Sequence, residues 1–485
     1  MTTQSSETSS SESQAIPHNL TWRDGFALTL VIPMGIFATL GPLIGSIGSG
    51  AVAALYVACG LMAMLQNFFH AEMASMFPDK AGGIPLYAHE AWKRYLPAIG
   101  SVVTFGYWAG WAFSNAVYAL LMGQLLQGQF FPGATWSIST GTSHLGLAGI
   151  IGVATLIVVW LLNAYGVRQT ALMNKILGAL VVLLIVILVV LPLVEGEFHA
   201  SGITWGLTTA GPWHGWRLVF AFMFVFAWTT YGTEAAAVFT PEYRTPRTDT
   251  PKALVSSGAF TVVVAVALTL GVGGTLTDKV IGQDPNSMYT QAFAKVVGPA
   301  SAVITILLAA ALFVIMNSCT AVAGRALYAL AKDDMTIKQF NHLNSRGLPA
   351  RAMLADLVLN VVMIVFVGNT LGIIFASNIG YMVATVMVLA GFVLLRRDRP
   401  DWPRPIRVPR LLVPLAGVLA LVNAVFLVVA FLFPGDAGYG GTAEQIIGVG
   451  VLLASLALYA YRRRVQDRGT RAEPSQVGTS SASSG

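Results

Sequence analysis

The sequence predicts an all-α integral membrane protein of about twelve transmembrane helices, on the strength of charge depletion, long apolar runs and a one-sided distribution of basic residues. Of its 485 residues 55% are apolar and only 10% charged, where a soluble domain carries about 25% charged residues. The apolar runs exceed the reach of a soluble core. Residues 170–194 hold a single charged residue, Lys175, and Leu411 through Phe433 hold none. A hydrocarbon core of about 30 Å needs roughly 20 such residues in a helix.

Hydropathy places helices at 26–47, 51–76, 97–126, 145–163, 170–194 and 217–240, and six more at 254–275, 299–331, 351–370, 371–395, 411–433 and 444–461. They are numbered 1 to 12 below. The division between helices 9 and 10 rests on Gly368, Asn369 and Gly372 as a short turn. With both termini on the cytoplasmic side, every one of the 28 Lys and Arg residues except Arg217, Lys279 and Lys295 falls on that side or at its helix ends. Lys93-Arg94 and the stretches 244–252, 332–351, 396–410 and 462–471 carry most of them. This is the positive-inside pattern, and it supports an even helix number and a cell-membrane location. A net charge of +6 then marks topological anchors beside the lipid bilayer and implies no nucleic-acid partner.

The two cysteines, Cys59 and Cys319, fall inside predicted membrane helices, so no disulfide framework is expected. Residues 1–20 are polar and Ser-rich, lack the apolar core of a signal peptide and, with 466–485, read as disordered tails around a domain at 21–465. None of the seven His residues has metal-ligand spacing, so neither a metal nor another cofactor is expected, and an embedded enzyme would need such a reactive cluster. A sensor built on the same helices would call for an added soluble domain, and both tails are short.

Freed backbone groups are tolerated inside a membrane only where they are buried in protein or line a cavity. Helix 1 carries a breaker at mid-length, Pro33-Met34-Gly35-Ile36, where Pro33 removes a hydrogen bond and Gly35 relaxes the backbone. Helix 6 carries Trp228-Thr229-Thr230-Tyr231-Gly232 at a corresponding place, if 26–194 and 217–395 are two five-helix halves. Paired breaks of this kind point to a transporter's binding site. The bland alternative is that Pro and Gly merely kink the two helices. Glu234 follows the second break, and a carboxyl there faces a partner, a water path or the interface. His70 and Glu72, near the cytoplasmic end of helix 2, read as solvated or structurally paired groups. Tyr107, Trp108 and Trp111 of helix 3 read as packing, whereas Asn115 needs a buried partner. The run Asn317-Ser318-Cys319-Thr320 in helix 8 can ligate an ion or bond between helices.

Four stretches resemble the amino acid–polyamine–organocation transporter superfamily. They are Ala71-Glu72-Met73-Ala74-Ser75-Met76-Phe77-Pro78 with Ala81-Gly82-Gly83, then Asn163-Ala164-Tyr165-Gly166-Val167-Arg168, then Tyr231-Gly232-Thr233-Glu234 with Pro241-Glu242 and Thr245-Pro246-Arg247, and residues 324–334. The resemblance covers residues 20–465. It implies a LeuT-like core of two inverted five-helix repeats with two extra C-terminal helices at 411–461. It also implies alternating access around a midplane site on helices 1, 3, 6 and 8, and an amino acid or related amine as substrate. Amino-acid members hold a carboxylate on helix 1 N–H groups at a Gly-Ser-Gly sequence, where this chain has Pro33-Met34-Gly35; the departure removes one donor and one hydroxyl and keeps polyamines open. Trp228 and Asn115 are similar to substrate-binding positions of cationic amino-acid exchangers, and Cys319 stands where those have a helix 8 aromatic. A lysine of helix 5 in some proton-coupled members is matched by Val181. The coupling options that remain are Na+ near helices 1 and 8 with Asn317, Ser318 or Thr320, H+ through Glu234, or no ion.

Overall fold

A computed structural model describes residues 20–30, 32–77, 83–140, 143–165, 171–207 and 214–468. The N-terminal tail up to residue 19, the C-terminal tail from 469, and residues 78–82 and 166–170 of the motif stretches lie outside the described residues. Nine helices among the described residues are long and apolar enough to cross a membrane. Three further predicted spans complete the twelve. Helix 1 is divided into Trp22–Thr29 and Pro33–Ile47, helix 3 into Ile99–Ala112 and Ser114–Phe130, and helix 9 is the 17-residue Ala350–Phe366. Helix 2 is Ser49–Met76, helix 4 Leu147–Ala164, helix 6 begins as His214–Thr230, and helix 7 is Pro246–Leu276. Helix 8 is Ser301–Lys332, helix 10 Thr370–Asp398, helix 11 Val413–Leu432 and helix 12 Thr442–Tyr461.

Local chemistry explains the element ends. Gly48 alone joins helices 1 and 2 at φ 77°, a conformation that favours a residue without Cβ. Asp278 closes this end, its Oδ2 accepting from Ser49 N at 2.8 Å and Thr204 N at 2.7 Å. Helix 5 runs from Ala171 to Ile185, widens into a π turn at Val186–Val190 and finishes at Leu191–Glu195. Pro192 explains the widening, since it lacks an N–H and its ring crowds the carbonyl four residues back. The short turn between helices 9 and 10 is present: Gly368 has φ 66° and Asn369 caps helix 10, its Oδ1 accepting from Gly372 N at 2.6 Å.

Four elements have no counterpart in the hydropathy reading. A helix Gly83–Trp92 follows helix 2, a hairpin of Ser137–Thr140 and Ser143–Gly146 joins helices 3 and 4, and helices Asp278–Gln283 and Met288–Val297 precede helix 8. The described residues continue to 468. Gln466 Oε1 accepts from Lys338 N at 2.8 Å and Asp467 pairs with Lys338 at 3.2 Å, so the chain stays packed to that point because its side chains have partners.

Helix 2 lies along helix 7, helix 1 meets helix 6, helix 3 packs on helices 8 and 10, and helix 4 on helix 9; helices 11 and 12 cover helix 10 from outside. Outward-facing Leu61, Val263, Val358, Leu421 and Leu453 are exposed, as suits a protein solvated by hydrocarbon. Helices 3 and 10 touch backbone to backbone, so that a Cβ on Gly106 would stand 2.5 Å from Gly380 O. A backbone cannot yield as a side-chain tip can. Gly106→Val is expected to cost about 1–3 kcal/mol of overpacking, read as a lower melting temperature in detergent; an unchanged melt would mean that the helices separate freely.

Candidate functional site

The breaks in helices 1 and 6 face each other. The expected opening at Pro33–Ile36 is displaced, however. The first half of helix 1 ends at Thr29 and Pro33 begins its second half, with Gly35 N donating to Ile32 O at 2.9 Å. Proline suits a first helical position because the N–H it lacks would have had no partner there, and its φ is already helical. It therefore restarts the helix where a reading of proline as breaker opens it. Helix 6 changes character where expected: the α-helix ends at Thr230 and a 3-10 segment runs from Tyr231 to Glu242. A Cβ on Gly35 would lie 3.2 Å from the Trp228 ring, and one on Gly232 3.7 Å from Ile32.

A narrow cavity lies at this crossing. Helix 1 contributes Ile32 and Gly35; helix 3 Gly110, Trp111, Ser114 and Tyr118; helix 6 Trp228, Thr229 and Gly232; helix 8 Ile315 and Cys319; helix 10 Tyr381. Water centres can occupy about 40 Å³ of it, room for a few water molecules. The wall is aromatic and weakly polar and carries no charged side chain among the described residues. Trp228 Nε1 donates to Gly110 O at 3.2 Å, so its indole bridges helices 6 and 3 while its ring lies against helix 1.

Five sequence-predicted residues thus line the cavity: Gly35, Trp228, Thr229, Gly232 and Cys319. The others point elsewhere. Pro33, Met34 and Ile36 are buried among apolar neighbours; Thr230 Oγ1 donates to Cys59 Sγ at 3.1 Å; Tyr231 is buried between helices. Asn115 lies one layer behind the wall, donating to Thr320 Oγ1 at 3.0 Å. On helix 8 the successive side chains take different directions, as about 100° per residue requires. Asn317 Oδ1 accepts from Asn163 of helix 4 at 2.6 Å, Ser318 Oγ donates to Val314 O at 3.3 Å, and Thr320 turns to helix 3. Glu234 sits beneath the cavity floor, where Tyr381 donates to its Oε1 at 2.8 Å and Tyr107 at 3.1 Å. Its Oε2 is buried without a hydrogen-bond partner among the described residues.

Sequence reasoning missed Ser114, Tyr118 and Tyr381, and it read Trp111, which lines the cavity, as packing. The first two share a helix 3 face with Gly110 and Trp111 at spacings of three to four, a signal hidden among equally apolar neighbours. Tyr381 gives no local sign, because its place beside Glu234 depends on how helix 10 crosses helix 3. Glu72 is a paired group, as its position suggested: Arg396 donates to it, Arg404 approaches at 3.1 Å and Val408 N donates to it at 2.7 Å.

Five helices, two of them interrupted, close on this cavity in a chain with nine helices long and apolar enough to cross a membrane among its described residues, the form of a multi-pass membrane permease. The chain belongs to the amino acid permease family, whose model matches residues 20–456. It is similar to a putative histidine permease of Bacillus subtilis (strain 168), at 22% identity over 73% of each chain. It is also similar to the lysine-specific permease of Escherichia coli (strain K12), at 23% identity over 92% of this chain and 94% of the relative. An arginine/agmatine antiporter of Chlamydia trachomatis serovar L2 is 23% identical over 89% of this chain and 86% of its own.

Proposed function

We propose that this protein carries an amino acid across the cell membrane by secondary active transport, with alternating access around the cavity between helices 1, 3, 6 and 8. The observation that carries the reading is the meeting of the two helix interruptions at one small cavity. The substrate carboxylate would face the start of the second half of helix 1, where the positive end of the helix dipole favours an anion, although Pro33 brings no N–H and Gly35 N is engaged with Ile32 O. Trp228 and Thr229 would cover the substrate from helix 6, with Cys319 opposite. The pairing of helix 2 with 7, 3 with 8 and 4 with 9 supports two five-helix halves, and the basic clusters support cytoplasmic termini. The related permeases and antiporter support an amino acid as substrate.

A second reading, transport of a polyamine or another organic amine, is favoured by one feature. The wall holds Trp111, Tyr118, Trp228 and Tyr381, and aromatic faces can meet a cation where no carboxylate is present. Exchange of one amino acid for another uses the same site. Coupling to H+ would run through Glu234, below the cavity, and coupling to Na+ through oxygens of helices 1 and 8.

Purified protein in liposomes, offered labelled amino acids and polyamines with and without Na+ and pH gradients, tests the reading. Concentrative uptake or counterflow of an amino acid is expected. Uptake confined to polyamines would favour the second reading, and accumulation of neither class would reject both.

A further inference from the structure

Helix 9, which contributes nothing to the cavity wall, holds a second carboxyl inside the membrane. Asp356 is 1% exposed, and no ion pair reaches it among the described residues. Its neighbours are amides. Asn115 Nδ2 of helix 3 donates to Asp356 Oδ2 at 3.3 Å, and Asn360 Nδ2 of helix 9 donates to Oδ1 at 3.3 Å and to the Asp356 carbonyl at 2.8 Å. Asn360 is itself fixed, its Oδ1 accepting from Ala116 N at 2.8 Å. Asn115 also donates to Thr320 Oγ1, and Thr320 adjoins Cys319 of the cavity wall. A chain of three polar side chains therefore runs from Asp356 to the cavity. Asn115 Oδ1, fully buried, has no partner among the described residues.

A buried carboxylate without a cation partner is costly, and polar groups of this kind inside membrane helices mark ion or proton pathways. We propose that Asp356 is a proton-exchanging carboxyl, additional to Glu234, whose protonation state is passed to the cavity through Asn115 and Thr320. Ionised, it accepts from Asn115 Nδ2 as observed. When a proton arrives on Oδ2, the O–H becomes a donor and the Asn115 amide turns over. Asn115 Oδ1 then accepts from Asp356 and from the Thr320 hydroxyl, so the hydrogen bond on Thr320 reverses its sense. The ionisable groups facing this network are Cys319 of helix 8, next to Thr320, and Tyr118 of helix 3, which lines the cavity with it. Helix 4 supplies none. Arg351 is more than a turn away on helix 9 and exposed, and Lys338, near that end, is paired with Asp467.

The inference rests on the transport reading for its purpose, but its test needs no substrate. Infrared difference spectra of the full chain in liposomes, taken between acid and alkaline pH, report the carbonyl stretch of each carboxyl that exchanges a proton. Asp356→Asn is expected to abolish one component that Glu234→Gln leaves in place, and Thr320→Val to shift the pH midpoint of that component. A spectrum of Asp356→Asn superimposable on the wild type overturns the proposal. A Thr320→Val midpoint equal to that of the wild type overturns the link to the cavity. If Asp356→Asn does not fold, Asp356→Glu keeps the carboxyl and should move the band; an unmoved band overturns the proposal equally. Failure of uptake with a positive infrared result would reject the transport reading alone.

Discussion

Glu72→Ala is expected to destabilise the folded protein by about 3–5 kcal/mol, the cost of leaving buried charge uncompensated. Glu72 is fully buried at the end of helix 2, between Arg396 of helix 10, 10% exposed, and Arg404 of the following loop, 3% exposed. Arg404 is tied down on its other side, donating to Trp402 O at 2.9 Å and Arg399 O at 2.7 Å. Arg396 also donates to Val408 O at 2.6 Å. Either guanidinium would have to give up these backbone bonds to turn toward water. Trp402 Nε1 adds a bond to Met76 O at 2.9 Å, so helix 2 is clasped by the segment that joins helices 10 and 11. Thermal and denaturant unfolding in detergent measure the loss. Replacing all three residues with Met should recover much of it, because an apolar cluster of similar volume needs no compensating charge. A Glu72→Ala variant that unfolds with the wild type would show that the arginines hydrate in place.

Trp228→Leu is expected to weaken substrate affinity by roughly a few-fold to thirtyfold, from a cation–aromatic contribution of about 0.5–2 kcal/mol at about 1.4 kcal/mol per factor of ten. The indole lies partly open at the cavity, against Gly35 on one side and bonded to Gly110 O on another. Leucine keeps an apolar group toward the bundle but cannot reach across to helix 3. Affinity should therefore fall while the melting temperature is largely kept. The competing account makes Trp228 a packing residue, and it predicts the reverse: a lower melting temperature and normal binding by the protein that remains folded. Both quantities measured on the purified variant separate the two, and unchanged affinity would end the role assigned to Trp228.

Much of this architecture is written locally. Twelve spans follow from hydropathy because a hydrocarbon solvent leaves the chain few ways to satisfy its backbone. Gly368, Asn369 and Gly372 read as a short turn dividing helices 9 and 10, and in the structure Gly368 supplies the left-handed residue and Asn369 the cap. Pro33 with Gly35 and the run from Trp228 to Gly232 pointed to paired interruptions in helices 1 and 6, and the structure shows that Gly35 also lets the Trp228 ring approach helix 1. The exact position of the helix 1 break was less legible. Proline both stops one helix and starts the next, and only the preceding backbone distinguishes the two.

What the sequence alone determined, then, is the solvent, the number of spans, the family and the pair of helices that are interrupted. What only tertiary structure decided is which side chains share a space. Asn115, Ser318 and Thr320 look alike as polar residues on apolar helices, yet the rotation of each helix sends Asn115 and Thr320 together toward Asp356 and Ser318 back onto its own backbone. Tyr107, Glu234 and Tyr381 come from helices 3, 6 and 10 and form one cluster. Such meetings depend on crossing angles and axial offsets that hydropathy, being uniform along a membrane helix, does not encode.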